Sequence, residues 1–196
     1  MIPPRLVLAT ANRGKARELR ELVSEWGDVD VLSLEAFPGV TCPAEVETSY
    51  EGNALAKARA VAAATALPAL GDDSGIEVDA LGGEPGVRSA RFAATDGERV
   101  AKLLSALRGA TEEARRASFR CVVALVWPDG RVETGEGECR GRVASAPSGA
   151  RGFGYDPVFV PDEIGRTFAA ASADEKRRVS HRARAMRALG TRLGRK

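Results

Sequence analysis

The sequence predicts a mixed α/β fold with a central mixed sheet, a long hairpin and flanking helices. Three observations predict it. A short apolar run near the N-terminus is followed by a polar loop and an amphipathic segment. A long β-prone run, "ASFRCVVALVW" (117–127), turns through "PDG" into "RVETGEGECRGRV" (131–143). Three stretches carry the capping-box spacing that opens helices.

In chain order, "RLVLA" (5–9) reads as a buried strand and "TANRG" as the loop after it. A helix follows, with Leu19, Leu22, Val23 and Trp26 at i, i+3, i+4 and i+7. "VDVLSL" (29–34) is a second strand. "TSYE" (48–51) opens an alanine-rich helix to about Ala66. "ALGDD" and "IEVDAL" read as two short extended segments, separated where Gly71 and Gly75 break the chain. "TDGE" (95–98) opens a helix with Val100, Leu103, Leu104 and Leu107 on one face and Gly109 as its stop. The hairpin comes next, joined by its two-strand and turn pattern. "SADE" (172–175) opens a last helix running towards Leu193, with Val179, Ala183, Met186 and Leu189 as its apolar positions. "SAPSGARGFG" (145–154) lies inside this pattern, so it reads as a functional loop rather than a domain boundary. No repeat, low-complexity segment or linker interrupts the chain, and residues 1–196 are expected to form one domain.

Composition narrows the chemistry. Apolar residues are 44% and charged residues 29%, as in a soluble globular protein. No apolar run reaches the roughly 18 residues of a membrane span, and "MIPPRLVLAT" lacks the pattern of a secretory signal. Cys42, Cys121 and Cys139 are widely spaced and odd in number. They suggest neither a disulfide framework nor a zinc site, and fit thiols in a reducing cytoplasm. A single histidine, His181, rules out a site with several histidine ligands from one chain. A hard cation on carboxylate oxygens stays open, Mg²⁺ above all. From Asp174 onward nine Lys/Arg stand against two acids, so the rest of the chain is net acidic although the total is +2. Such a basic segment is either a solvated helix face or an attractor of polyanions.

"GDDSG" (71–75) poses the sharpest question. Two adjacent carboxylates end an apolar run, where a buried charge is costly unless paired or bound to a cation. An Asx turn would explain them structurally; a divalent cation would explain them chemically. Thr10 to Lys15, at a strand–loop–helix junction, suits phosphate through helix N–H groups and the Lys15 charge, although many α/β folds begin this way. It is not a Walker A loop. Asn53 and Lys57 share one helix face, with Glu45 a few residues before the cap. Phe153 and Tyr155 lie in the glycine-rich "GFGYDP", where an aromatic can stack on a base or simply fill a core. "SHR" (180–182) offers hydrogen-bond donors, with Lys176 one turn upstream, though a lone histidine is commonly structural.

Five segments together carry a resemblance: "ATANRGKARELREL", "NALAKARA", "ALGDDSGIEVDALGGEPGVRSARF", "GFGYDPVF" and "DEKRRVSHRARAM". In this order and spacing, over nearly the whole chain, they resemble the inosine triphosphate pyrophosphatase family, the XTP/dITP diphosphatases that act on non-standard purine nucleoside triphosphates. The resemblance implies an active site in a cleft and hydrolysis of ITP, dITP or XTP to monophosphate and pyrophosphate, cleansing the nucleotide pool. It implies Mg²⁺ as cofactor and a homodimer; the thiols point to a cytoplasmic location, and the lack of a nucleic-acid motif and of a membrane-length apolar run leads us to expect neither a stable nucleic-acid partner nor a membrane. Thr10, Ala11, Asn12, Arg13, Gly14 and Lys15 would bind the triphosphate. Glu45 and Asp73 would hold the metal with Asp72 beside them, Asp73 being the proton acceptor. Ser74 would touch substrate, and Lys57 and Lys176 would neutralise phosphate charge. Phe153, Gly154, Tyr155 and Asp156, with His181 and Arg182, would form the base pocket.

Two positions depart from the family pattern. Gly52 stands where a glutamate is common before Asn-Ala, weakening a helix by roughly 1 kcal/mol relative to alanine and removing a carboxylate near the metal. Arg88 stands where an aromatic is common. A binding protein without turnover, a nucleic-acid binder using the basic C-terminal segment, and a pyrophosphatase of other base preference are the competing readings. Salt-dependent DNA binding would favour the second.

Overall fold

The computed structural model of the chain describes residues 1–195. Its six strands are β1 (Arg5–Ala9), β2 (Asp30–Leu32), β3 (Ala69–Val78), β4 (Arg116–Val126), β5 (Val132–Val143) and β6 (Phe159–Pro161). They form one sheet of order β2-β1-β3-β4-β5-β6. The sheet is mixed: β1 pairs in parallel with β2 and β3, whereas β5 and β6 are antiparallel. The helices are α1 (Arg13–Ser24), α2 (Tyr50–Thr65), α3 (Asp96–Ala106), α4 (Ala173–Val179) and α5 (His181–Arg192). No helix among the described residues is long and apolar enough to cross a membrane.

The chain divides into two compact units. The first comprises Met1–Asp73, Cys121–Gly137 and the chain from Arg182 onward. Its β1 is buried on both sides, as its unbroken apolar run requires. Leu6 and Leu8 join a core with Leu19, Leu22, Val23, Met186 and Leu189, while Val7 and Ala9 join another with Ala54, Ala58, Val61 and Ala62. The alternation is the period of two of a strand. The second unit comprises Ser74–Arg120 and Glu138–His181. Val100 and Leu103 of α3, with Leu107 just after it, meet Ile76, Val78 and an aromatic group there. Phe119 lies edge-on to Phe159, with ring centroids 4.7 Å apart.

Several local expectations change. β2 is shorter than expected, because Leu34 already begins a 3₁₀ turn. The cap of α2 is Ser49, not Thr48: its hydroxyl accepts from the Gly52 N–H. With glycine at the third helical position no side chain can complete a capping box. Glu47 lies over that position, 2.9 Å from where a Cβ would stand. The capping boxes at Thr95–Glu98 and Ser172–Glu175 form fully. The last helix is not continuous. Ser180 adopts an extended conformation (ψ 151°) and separates α4 from α5. Ser180, His181 and Arg182 are all buried, and three consecutive positions of one helix span too much of its circumference to face inward together.

The largest correction concerns β3. It runs unbroken through "ALGDDSGIEV", so Gly71 and Gly75 do not interrupt a strand. They permit close approach instead. A Cβ on Gly71 would lie 2.4 Å from the Ala54 carbonyl oxygen of α2, and one on Gly75 would lie 2.1 Å from the Gly86 carbonyl oxygen.

Candidate active site

Because β3 is continuous, the side chains of Asp72 and Asp73 leave it in opposite directions. Their direct contacts differ, although the charges of Lys15 and Lys57 act on both.

Asp73 faces α2. Its Oδ2 accepts from Asn53 Nδ2 at 2.8 Å, and Lys57 Nζ lies 3.9 Å from its Oδ1. Asn53 and Lys57 are one turn apart on α2, which brings both to the same carboxylate. Asn53 also takes the Glu47 N–H on its own carbonyl oxygen at 3.1 Å, which fixes its amide. Lys57 Nζ bonds Glu45 Oε1 at 2.7 Å. The ammonium therefore lies between the two carboxylates expected to hold a metal. Burial raises the Asp73 pKa, against the opposing pull of Lys15 and Lys57. Burial works against the charge of Lys57, but Asp72, Asp73 and Glu45 outweigh it and raise its pKa.

Asp72 is fully buried and faces α1 and α5. Its Oδ2 lies 3.1 Å from Lys15 Nζ and accepts from Arg182 Nε and Nη2 at 3.2 Å each. Burial alone would raise its pKa. Lys15, Arg182 and Lys57 overcome that and hold it far below the usual carboxylate range. Arg182 also binds Glu18 on α1, one turn after Lys15. Glu18 was not singled out in the sequence; its i, i+3 spacing from Lys15 is the only signal it carries.

Asn12 caps α1, its Oδ1 accepting from the Lys15 N–H at 3.0 Å. Ala11, Asn12 and Arg13 are exposed, whereas Thr10, Gly14 and Lys15 are half-buried. Ser74 is half-buried on β3.

The second unit gathers the remaining expected residues. Asp156 is buried and paired with Lys176. The Phe153 N–H donates to Asp156 Oδ2 at 3.0 Å, and Lys176 Nζ stands 5.0 Å from the centre of the half-buried Phe153 ring. Gly154, at φ 61°, lets the loop turn after Phe153. Tyr155 is placed otherwise than as a base-stacking ring: it is buried in the core, and its hydroxyl donates to the Ser89 carbonyl at 3.0 Å. His181 is also buried, stacked on Phe119 with centroids 4.5 Å apart. Arg182, expected among the base-pocket donors, is buried and pairs with Asp72 and Glu18. Among the departures, Arg88 forms an ion pair with Glu84.

Among the described residues no three His, Cys, Asp or Glu side chains converge as a resident metal site. The donors that do meet are hard oxygens. Mg²⁺ is commonly held by one or two carboxylates plus substrate phosphates, which is what Glu45 and Asp73 could offer. Among the described residues Asp72 Oδ1 is buried without a hydrogen-bond partner, but on the other face of β3. The donor chemistry thus fits an ion that arrives with a polyphosphate.

The chain matches the model of the Ham1 family over residues 6–192. It is 50% identical to a dITP/XTP pyrophosphatase of Thermus thermophilus over 187 residues, covering 94% of this chain and 89% of that protein. It is 48% identical to one of Deinococcus deserti, covering 94% and 86%. Among solved structures, a HAM1 protein from Coxiella burnetii superposes with a TM-score of 0.86 at 38% identity, covering 99% of this chain and 100% of that one. A nucleoside-triphosphatase / dITP/XTP pyrophosphatase from Mycobacterium abscessus gives 0.74 at 40% identity, covering 94% and 98%. A buried Asp72–Asp73 pair set among Lys15, Lys57 and Arg182, on a sheet shared with these proteins and a sequence matched almost from end to end, places the chain in the Ham1 family.

Proposed function

We propose that this chain hydrolyses non-standard purine nucleoside triphosphates (dITP, XTP and ITP) to the nucleoside monophosphate and pyrophosphate. The observation that carries this is the Asp73–Asn53–Lys57–Glu45 cluster. It places a carboxylate of raised pKa beside an ammonium and a second carboxylate, in a chain half identical to dITP/XTP pyrophosphatases.

Asp73 is the group that orients and deprotonates the attacking water. Its raised pKa brings it closer to the useful range for a general base, and Asn53 fixes one of its oxygens so that the other faces the reaction. Glu45 and Asp73 would hold Mg²⁺. When bound, the ion neutralises phosphate oxygens and acidifies water. Lys57, now between Glu45 and Asp73, is the cation placed to follow charge onto the phosphates. Lys15 at the start of α1 attracts the triphosphate together with the helix N-terminus. Phe153 stacks on the base, and Lys176 with Asp156 fixes the loop that carries it.

Hypoxanthine and xanthine present a carbonyl at C6, whereas adenine presents an amino group. A protein donor facing that amino group is left unsatisfied, at about 1–3 kcal/mol per contact. The working unit is taken to be a homodimer in a reducing cytoplasm, on the family resemblance and on three cysteines that form no disulfide among the described residues. Light scattering on the purified chain checks the mass, and a monomer at all concentrations argues against the dimer.

The test is a nucleotide panel with separate detection of phosphate and pyrophosphate. The expected result is Mg²⁺-dependent release of pyrophosphate from ITP, dITP and XTP, with ATP much slower. Orthophosphate as first product, full activity in excess chelator, or ATP turned over as fast as ITP would each refute a named part of the reading.

A further inference from the structure

The segment Gly152–Phe153–Gly154 has both glycines at positive φ, 79° and 61°. Its backbone follows Asp156 so closely that a Cβ on Gly152 would lie 1.9 Å from Asp156 Oδ2. Two successive N–H groups of this loop end on two different carboxylates. Phe153 N–H donates to Asp156, four residues from Gly152 and in the same turn. Gly154 N–H donates to Asp96 Oδ2 at 2.8 Å, a residue 58 positions away on the first turn of α3.

Asp96 is itself held. Its other oxygen, Oδ1, pairs with Arg99. Arg99 in turn donates from Nε to the Ala93 carbonyl at 3.0 Å and from Nη2 to the Ala94 carbonyl at 3.3 Å. The carboxylate is thus clamped on one side and offered to the loop on the other. A groove of about 490 Å³ opens between α3 and the loop, lined by Val100, Leu104, Pro147 and Arg151 with Phe153 and Gly154. Asp96 itself lines this groove beside Gly154.

We propose that Asp96 is a positioning residue that fixes the Phe153–Gly154 loop and thereby sets base selection. This rests on the reading that the loop carries the base. A charge-assisted hydrogen bond to a backbone N–H is directional as well as strong. It holds the N–H side of the peptide between Phe153 and Gly154, next to the residue that carries the ring. The carbonyl of the same peptide accepts the Asp156 N–H at 3.2 Å, so Asp96 supplies the second of two anchors; without it the peptide can tilt about that one bond, with Gly154 on its far side resisting rotation least.

The experiment compares wild type, Asp96→Ala, Asp96→Asn and Glu98→Ala. Asparagine keeps an oxygen acceptor for Gly154. Glu98→Ala removes the other first-turn carboxylate and the capping box, and so controls for simple weakening of α3. Two readouts are taken: amide hydrogen exchange at Gly154 by NMR, and kcat and KM for ITP and ATP. In Asp96→Ala, Gly154 exchange rises roughly tenfold, KM for ITP rises about fivefold with kcat less affected, and the ITP:ATP ratio of kcat/KM falls. Asp96→Asn returns both readouts to within about twofold of wild type, and Glu98→Ala leaves the ratio unchanged. Wild-type exchange at Gly154 in Asp96→Ala overturns the tie. Raised exchange with an unchanged ITP:ATP ratio overturns its role in selection. A wild-type enzyme without preference for ITP overturns the reading of the base instead, while the exchange comparison still decides whether Asp96 holds the loop.

Discussion

Asp72 and Asp73 are neighbours in sequence with different direct partners, and the proposed reading gives them different roles. Asp72 is enclosed by Lys15 and Arg182 and stays ionised. Asp73 keeps a raised pKa beside Asn53 and Lys57. Asp73→Asn should therefore lower kcat by roughly 100-fold or more while the protein still unfolds in one cooperative step. Wild-type turnover by this variant would remove Asp73 from the chemistry. Arg182→Ala is expected to act on the fold. It leaves buried Asp72 and half-buried Glu18 without their guanidinium, and breaking a buried pair from one side costs about 3–5 kcal/mol. Urea denaturation measures this directly, and unchanged stability would place the role of Arg182 outside the Asp72 network. The arrangement was legible only in part. Both aspartates stand out in the sequence because charge ends an apolar run, and Lys57 because it shares a face with Asn53. Nothing local says that the guanidinium of Arg182 reaches a carboxylate 110 positions earlier.

At the level of elements, the site is made by how tightly β3 and α2 approach. Gly71 is the contact point: the Ala54 carbonyl and the Ala58 N–H of α2 lie 2.4 and 3.1 Å from its missing Cβ. Those neighbours are backbone and cannot turn aside. Gly71→Ala should push α2 away, cost about 1–3 kcal/mol, and lower activity by separating Asn53 and Lys57 from Asp73. Gly97→Ala is the matched comparison. Its Cβ would meet nothing within 4 Å, so it should be neutral or stabilising by up to about 1 kcal/mol. Thermal melts and turnover of the two variants, side by side, decide between close packing and a general intolerance of alanine. The sequence pattern located α2 and both arms of β3, and read the glycines as breaks. That reading failed for a physical reason. A glycine inside a strand marks either a bend or a close approach, and only the position of α2 distinguishes them.

For the molecule as a whole, charge distribution gives a further expectation. The formal net charge is only +2, yet the chain from Asp174 onward is strongly basic. If that surplus helps to gather a polyanionic substrate, kcat/KM for a triphosphate should fall at least about threefold between low and high salt, with weaker dependence for inhibition by a monophosphate, because screening acts on the larger charge. Equal salt dependence for both would make the basic segment a solvated surface. Sequence alone determined the α/β class, the strand–loop–helix start, the capped starts of α3 and α4, the hairpin, and the family, because these rest on local periodicity, turn chemistry and motif spacing. It also determined that no multi-histidine metal centre can form within one chain. Only the tertiary structure decided that β3 is continuous, that Asp72 and Asp73 face apart, that Tyr155 and His181 are buried among aromatic and backbone partners, and that α4 and α5 are separate helices. Each of these depends on a partner far away in the chain. A side chain's role follows from what it meets across the fold, which no short stretch of sequence contains.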